Sequence, residues 1–300
     1  MNLRTILFRK GFLRFQRQYL LGRGCKEIIY QIIPKYEFKV PVYADCISPD
    51  IFGEKNLEEI LKLKVWEGNK LKSLGDLFDV RFEREIEGDN IVIKLVGNFI
   101  KVRRIGANMS SGKIIIEGNV GMHLGEGMSG GEIIVNGYAD SWLGGSMKGG
   151  RIEVKGSTGD YVGAPYRGSK DGMMGGQIII HGDAGREIGH LMRGGTIKVY
   201  GSVKHFAGIG MIDGTILIRG DCAGEAGAAM RNGRIIICGY IPSVIPTFTI
   251  DSIRPNVDIN GEKISGPFYR FIGDIADNGE GKLFISKSRN PHLAFYEKYL

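Results

Sequence analysis

"LGEGMSGGEIIVNGYADSW", residues 124–142, holds one short apolar run between glycines that would break a helix. The next nineteen residues, 143–161, "LGGSMKGGRIEVKGSTGDY", repeat its layout, and 105–123, "IGANMSSGKIIIEGNVGMH", precede it with the same pattern. The layout returns at 188–206, 207–225 and 226–244, while 162–187 is a further copy carrying seven extra residues in its first half. Self-similarity at a fixed period of this length marks an array of stacked structural units, and it has to be read before any single motif.

Aligned on their shared methionines, Met109, Met128, Met147, Met173, Met192, Met211 and Met230, the seven copies follow G-x-x-M-x-x-G-x-I-x-I/V-x-G. Gly106, Gly125, Gly144, Gly189, Gly208 and Gly227 fill the first glycine position, which fails only in the fourth copy, where counting back from Met173 reaches Lys170. Gly112, Gly131, Gly150, Gly176, Gly195, Gly214 and Gly233 fill the middle position. Gly118, Gly137, Gly156, Gly182, Gly201, Gly220 and Gly239 fill the last.

About five residues per copy alternate with a period of two, which puts Ile114 and Ile116, or Ile133 and Val135, on one face of a short strand. Glycine on both sides tolerates the positive φ of tight corners. One strand per unit with corners between strands predicts an all-β dominated chain built on a parallel β-helix, a solenoid of seven nineteen-residue rungs. Rungs about 4.8 Å apart give a rod roughly 30 Å long. The methionines are expected to stack inside it with the two inward aliphatics, since an unbranched thioether fills irregular space. A flexible glycine-rich linker is excluded because linkers keep no aliphatic register.

Composition, 43% hydrophobic and 24% charged, is that of a globular chain, so neither a disordered tail nor a membrane bundle is indicated. The net charge of +7 suggests nucleic acid until it is located. Arg4, Arg9, Lys10, Arg14, Arg17, Arg23 and Lys26 all precede the first acid, Glu27, and the remainder balances at 33 basic against 33 acidic residues. Nucleic acid is therefore not an expected partner. The leader, 1–27, has no unbroken hydrophobic run, so it reads neither as a signal peptide nor as a transmembrane span. An extension without fixed structure, an unused upstream start and an amphipathic anchor or docking arm all remain open.

Cys25, Cys46, Cys222 and Cys238 lack C-x-x-C spacing, so neither an iron–sulfur cluster nor a zinc site is expected, and a reducing cytoplasm is the default location. His123 and His205 fall near corners and His181 on an outward strand position, all expected at solvated surface, with His190 and His292 scattered elsewhere. No nucleophile–base pair, phosphate loop or metal spacing emerges, so catalytic, cofactor and metal residues in this chain are all read as none. Asp160 and Asp171 are the nearest approach to the paired carboxylates of a carbohydrate-active β-helix, a poor third reading.

Between the inward aliphatics sit Ile115, Ile134, Glu153, Ile179, Lys198, Leu217 and Ile236, five of them apolar where water is expected. Either the chain's own flanks or a partner subunit must cover that row. Lys113, Glu132 and Arg151 alternate in sign on successive rungs, which helps hold register. Around the array, 28–100 reads as a small mixed α/β cap, with a short helix over 55–64 and a strand over 90–97. Residues 101–244 are the repeats, and 245–300 read as a β cap of short strands and turns. The insertion, 164–172, has no interior room between intact rungs and must project, bringing Tyr166, Arg167 and Lys170 to a tip near Asp160 and Tyr161. Tyr161, Tyr166, Arg167 and Lys170, with the apolar row, are the candidate partner interface, because tyrosine and arginine are common interface anchors.

The repeats resemble those of the C-type subunit of formylmethanofuran dehydrogenase, a family related to the C-terminal domain of glutamate synthase. The thirteen-residue core matches at 106–118 and its successors, "GDYVGAPYRGSKDGMMGG" (159–176) resembles that family's insertion, and "DIFGEKNLEEI" (50–60) and "GPFYRFIGD" (266–274) its flanking pieces. The leader, Lys170 and the longer C-terminal end depart from the pattern. The resemblance implies a right-handed β-helix acting as a non-catalytic scaffold in a cytoplasmic complex. Such complexes reversibly convert carbon dioxide and methanofuran to formylmethanofuran, the first step of methanogenesis from carbon dioxide. Partner subunits would carry molybdopterin with tungsten or molybdenum, iron–sulfur clusters and, in an amidohydrolase-like subunit, a metal pair. The similar subunit of a formyltransferase/hydrolase complex in one-carbon metabolism, or a glutamate-synthase-type domain, is the alternative; richness in lysine and isoleucine weakly favours the first.

Overall fold

The computed structural model describes residues 27–85 and 90–300; the expectations placed on residues 1–26 lie outside that range. The N-terminal segment runs β1 (Glu27–Pro34), β2 (Val42–Tyr43), α1 (Pro49–Gly53), α2 (Leu57–Leu61), β3 (Lys64–Glu67), β4 (Lys70–Ser73), α3 (Leu74–Leu77), β5 (Phe78–Glu85), β6 (Asn90–Val96) and β7 (Val102–Arg103). The helix expected over 55–64 is α2, reduced to five residues. Asn56 opens it through a capping box, accepting from the Glu59 N–H at 3.0 Å while the Glu59 carboxylate accepts from the Asn56 N–H at 3.0 Å. The strand expected over 90–97 is β6. Strands β2, β3, β4 and β7 make a small separate sheet in the order β4-β3-β2-β7.

Each repeat then contributes one strand: β8 (Lys113–Glu117), β9 (Glu132–Val135), β10 (Arg151–Val154), β11 (Gln177–Ile180), β12 (Arg193–Val199), β13 (Asp213–Ile218) and β14 (Arg234–Ile237). Neighbours pair in parallel with Ile114, Ile133, Ile152, Ile178, Ile197, Ile216 and Ile235 in one line across the sheet. All seven are fully buried, as are the seven methionines. Burying one such side chain stabilises by roughly 1.5–3 kcal/mol, and the period of two forces the same face inward in every copy. Parallel bridges join the repeats at a second place, Phe99 to Val120, Val120 to Ala139 and Ala139 to Thr158. Backbone bonds join them at a third: the Trp142 N–H donates to the Asp160 carbonyl at 2.9 Å and the Tyr161 N–H to the Arg186 carbonyl at 2.9 Å.

The methionine and the middle glycine turn out to be one device. In the first six repeats the methionine methyl lies beneath the middle glycine of the following repeat, and the Met230 methyl lies against Gly281: a Cβ on Gly214, whose φ is +112°, would sit 2.8 Å from Met192 Cε. The fourth repeat keeps its first glycine after all, displaced by the insertion. Gly163 has φ +70°, its N–H donates to the Leu143 carbonyl at 2.8 Å, and a Cβ there would meet Ile197 Cδ1 at 2.9 Å. Gly144 and Gly189 donate to the equivalent carbonyls of Leu124 and Val162, so Lys170 is not a failed glycine but part of the loop.

After the repeats come β15 (Thr249–Ile259), β16 (Glu262–Gly273) and β17 (Gly281–Ser286). The expected short strands and turns are instead a hairpin with arms of 11 and 12 residues. Asn260 and Gly261 turn it with φ of +53° and +87°, the two-residue geometry whose twist matches flanking strands. The large sheet has thirteen strands in the order β15-β16-β17-β14-β13-β12-β11-β10-β9-β8-β6-β1-β5. It is parallel from β1 through β17, with antiparallel pairs only toward its two edges.

Candidate docking surface

The outward apolar row does not form one open surface. The C-terminal hairpin covers its far end: Leu217 and Ile236 are buried against Val257, Ile259, Ile264, Phe268 and Phe284. Glu262 at the hairpin tip pairs with Lys198 at 2.5 Å and Arg219 at 2.8 Å, tying the tip to β12 and the chain beyond β13. Leu217 and Ile236 are therefore corrected from partner contacts to internal ones, because the chain carries its own cover. Ile179 is also buried, at 8% exposure, and only Ile115 and Ile134 stay half-exposed. Beside them Lys113 pairs with Glu132 at 2.8 Å and Glu132 with Arg151 at 3.4 Å, the alternation read from the repeats.

Glu153 interrupts the row as a charge. The hydrogen bond from Lys155, with those from His181 and Arg151, outweighs the opposing effect of burial and holds its carboxyl down to about 2. The countercharges of Arg151 and Lys155, with the His181 ring within hydrogen-bond reach at 2.8 Å, thus satisfy a side chain that the apolar row could not.

The insertion and the corner before each first glycine build the other surface. Arg104, His123, Trp142 and Tyr161 occupy this corner in four successive repeats, each with φ between +59° and +66°. Three of these side chains stack along the array: His123 on Trp142 at 5.3 Å and 10°, Trp142 on Tyr161 at 4.6 Å and 21°. His123 is thus not the solvated residue its isolation suggested. Its side chain is 13% exposed and lies 3.2 Å from Glu126, which also pairs with Arg104 at 2.7 Å. Burial pushes the Glu126 carboxyl up, but the hydrogen bond from His123 and the Arg104 charge together hold it below its ordinary value.

The insertion lies back across this corner rather than only projecting. Tyr166 packs on His123, two repeats earlier, at 5.9 Å and 41°. The far end is held by Ser146 Oγ donating to the Asp171 carbonyl at 2.7 Å and by Arg193 pairing with Asp171 at 2.9 Å. Tyr166 is 61% exposed, and Arg167 and Lys170 are exposed with no ion pair among the described residues. Asp160 pairs with Arg186 at 3.4 Å, so Asp160 and Asp171 are each spent on an arginine. The corner column was legible in principle as positions 104, 123, 142 and 161, but the repeat consensus ignores it because it varies from copy to copy.

Among the described residues no group of three or more histidine, cysteine, aspartate or glutamate side chains could hold a metal ion. Cys46 and Cys222 are buried apart, and burial pushes their thiols up to about 12 and about 11. The described residues thus offer no ligand set that fits an iron–sulfur cluster or a metal pair. No described helix is long and apolar enough to cross a membrane.

Parallel strands repeating every nineteen residues, with a side loop carrying the exposed aromatic and basic groups, define a repeat protein whose distinctive surface suits binding. No family model matches the chain. It is 42% identical over 95 residues to the C-type subunit of molybdenum-containing formylmethanofuran dehydrogenase 1 from Methanothermobacter marburgensis, 32% of this chain and 23% of that protein. It is 39% identical over 93 residues to the C-type subunit of tungsten-containing formylmethanofuran dehydrogenase 2 from Methanothermobacter wolfeii, 31% of this chain and 34% of that one. The matched stretches thus span about a quarter to a third of these curated relatives' length. A chain of the formyltransferase/hydrolase complex from Methylorubrum extorquens, crystallised with methylofuran, superposes with TM-score 0.75 and 30% identity, covering 85% of this chain and 99% of that one. The chain belongs to the family of C-type subunits of formylmethanofuran dehydrogenase.

Proposed function

We propose that the chain is a non-catalytic scaffold subunit of a cytoplasmic formylmethanofuran dehydrogenase complex that interconverts carbon dioxide plus methanofuran with formylmethanofuran. The repeats would be a right-handed parallel β-helix of seven rungs, 101–244, capped by 28–100 and 245–300. Partner subunits would hold the molybdopterin with tungsten or molybdenum, the iron–sulfur clusters and the metal pair. The observation that carries this reading is the identity of about 40% to C-type subunits of molybdenum- and tungsten-containing formylmethanofuran dehydrogenases, and the likeness to a chain of a multi-subunit complex along 99% of that chain supports the subunit role. The insertion, 164–172, supports docking against a partner, since it brings exposed tyrosine, arginine and lysine to one tip.

The same likeness favours a second reading, the equivalent subunit of a formyltransferase/hydrolase complex without redox chemistry. Purifying the tagged chain from its native source under mild conditions separates the two. Co-purified subunits with stoichiometric tungsten or molybdenum and formylmethanofuran oxidation support the dehydrogenase, whereas formyl transfer without either metal supports the alternative. Turnover of formylmethanofuran by the isolated chain would defeat the scaffold reading altogether.

A further inference from the structure

Stacked planar side chains at successive corners go beyond what the turns require, and we propose that this column is a preformed platform for an acidic segment of a partner protein. In this arrangement the exposed ring of Tyr166 and the solvent-facing edges of the half-buried Trp142 and Tyr161 take an apolar or planar side chain, and Arg167 and Lys170 take carboxylates beside it. The proposal rests on the scaffold reading and names the partner chemistry at the insertion.

The placement of the rings carries the first step. All seven corners share the left-handed backbone, since Glu187, Phe206 and Glu225 have φ of +56°, +67° and +50°. The conformation is therefore a requirement of the turn and not of the rings. The stacked rings, however, are confined to three successive corners, His123, Trp142 and Tyr161, the last of them at the insertion. Stacking alone would stabilise the array without Tyr166, yet the loop spends its own residue on extending that surface over His123.

Preorganisation is the second step. The Ser169 N–H donates to the Tyr166 carbonyl at 2.9 Å, closing a turn at the tip, and Asp171 is held by Ser146 and Arg193 on either side. A loop already ordered in the free chain loses little further freedom on binding, which leaves more of the contact energy as affinity.

Charge supplies the third. Glu126 is matched by Arg104, Asp160 by Arg186 and Asp171 by Arg193, which leaves Arg167 and Lys170 as cations of the inserted loop without an ion pair among the described residues. Two uncompensated cations beside rings fit carboxylates, and the arginine fork can take one in a bidentate pair. Nucleic acid fits less well, because basic and acidic residues after Lys26 balance and no basic stripe extends from the tip.

The test uses the full chain in its co-purified assembly. The chain has two tryptophans, so Trp66→Phe leaves Trp142 as the reporter. Adding back the partner fraction to this variant should shift the Trp142 emission. Arg167→Glu with Lys170→Glu, both exposed and expected to fold normally, should weaken association about tenfold or more at low salt, with the difference shrinking as salt rises. Unchanged Trp142 emission on binding, or wild-type affinity of the charge-reversed variant while wild type still co-purifies with partners, overturns the platform but leaves the scaffold reading standing. Wild type that recovers no stoichiometric partner overturns both. Retention of a single-stranded RNA probe by wild type, lost on charge reversal, overturns the protein assignment.

Discussion

Replacing Gly214 by alanine tests whether the methionine and the middle glycine are coupled across repeats. The added Cβ would meet Met192 Cε at 2.8 Å, with Gly194 C and Gly195 O at 3.1 and 3.2 Å, so the methyl is its tightest obstacle. Positive φ costs an L-residue about 1–2 kcal/mol, and overpacking a filled core adds about 1–3 kcal/mol. Gly214→Ala should therefore destabilise by about 2–5 kcal/mol. Met192→Ala, which empties a fully buried site, should cost a similar amount. The combined variant should cost less than the sum by about 1–3 kcal/mol, because truncation vacates the space the new methyl needs. Urea unfolding followed by far-ultraviolet circular dichroism for the four proteins gives the cycle, with the slope checked first because stacked repeats can melt in parts. Additivity within about 0.5 kcal/mol would refute the reasoning, since the glycine would then be present for its backbone alone.

The remaining predictions probe other parts of the molecule. Met147→Asp places an unpaired charge in a fully buried site, so neighbouring repeats should unfold together; an unchanged melting curve would count against the stacked interior. Because Glu153 titrates at about 2 when folded, below its ordinary 4.5, its stabilising contribution is complete above the ordinary value and is lost as pH falls through the folded one. Wild type should accordingly lose Tm between those two values more steeply than Glu153→Gln, and parallel profiles would remove Glu153 as the cause. Leu217→Ser should cost about 2–4 kcal/mol, whereas Ile134→Ser should cost under about 1, a contrast that thermal denaturation reads directly. Tyr166→Ala with Arg167→Ala should stay folded yet release co-purified subunits, with the part due to the Arg167 charge largest at low salt and the part due to the Tyr166 ring persisting as salt rises; wild-type yield across salt would move the anchor to Ile115 and Ile134.

The array was legible because its information is local and repeated. Seven copies of Met, Gly and Ile at fixed offsets specify the buried face and the strand phase, and only parallel stacking buries them all. The hairpin of β15 and β16 was also within reach, since Asn260 and Gly261 spell a two-residue turn between alternating strands, but that signal is weak among irregular flanks. Gly163 escapes the consensus for a different reason: counting back from Met173 places the extra residues before the glycine, whereas they follow it, and only the ladder of hydrogen bonds to Leu143 settles the register. What covers the outward row could not be read from the repeats at all. Whether Leu217 meets water or Phe268 depends on where a hairpin fifty residues later folds back, a long-range contact with no local signature. The corner column is of the same kind. Trp142 and His123 lie nineteen residues apart and look unrelated in a line of residues, yet the stacking of successive repeats brings their rings to 5.3 Å. Local composition thus determined the strand, the period and the interior, while chain closure across repeats decided which outward residues stay available to a partner.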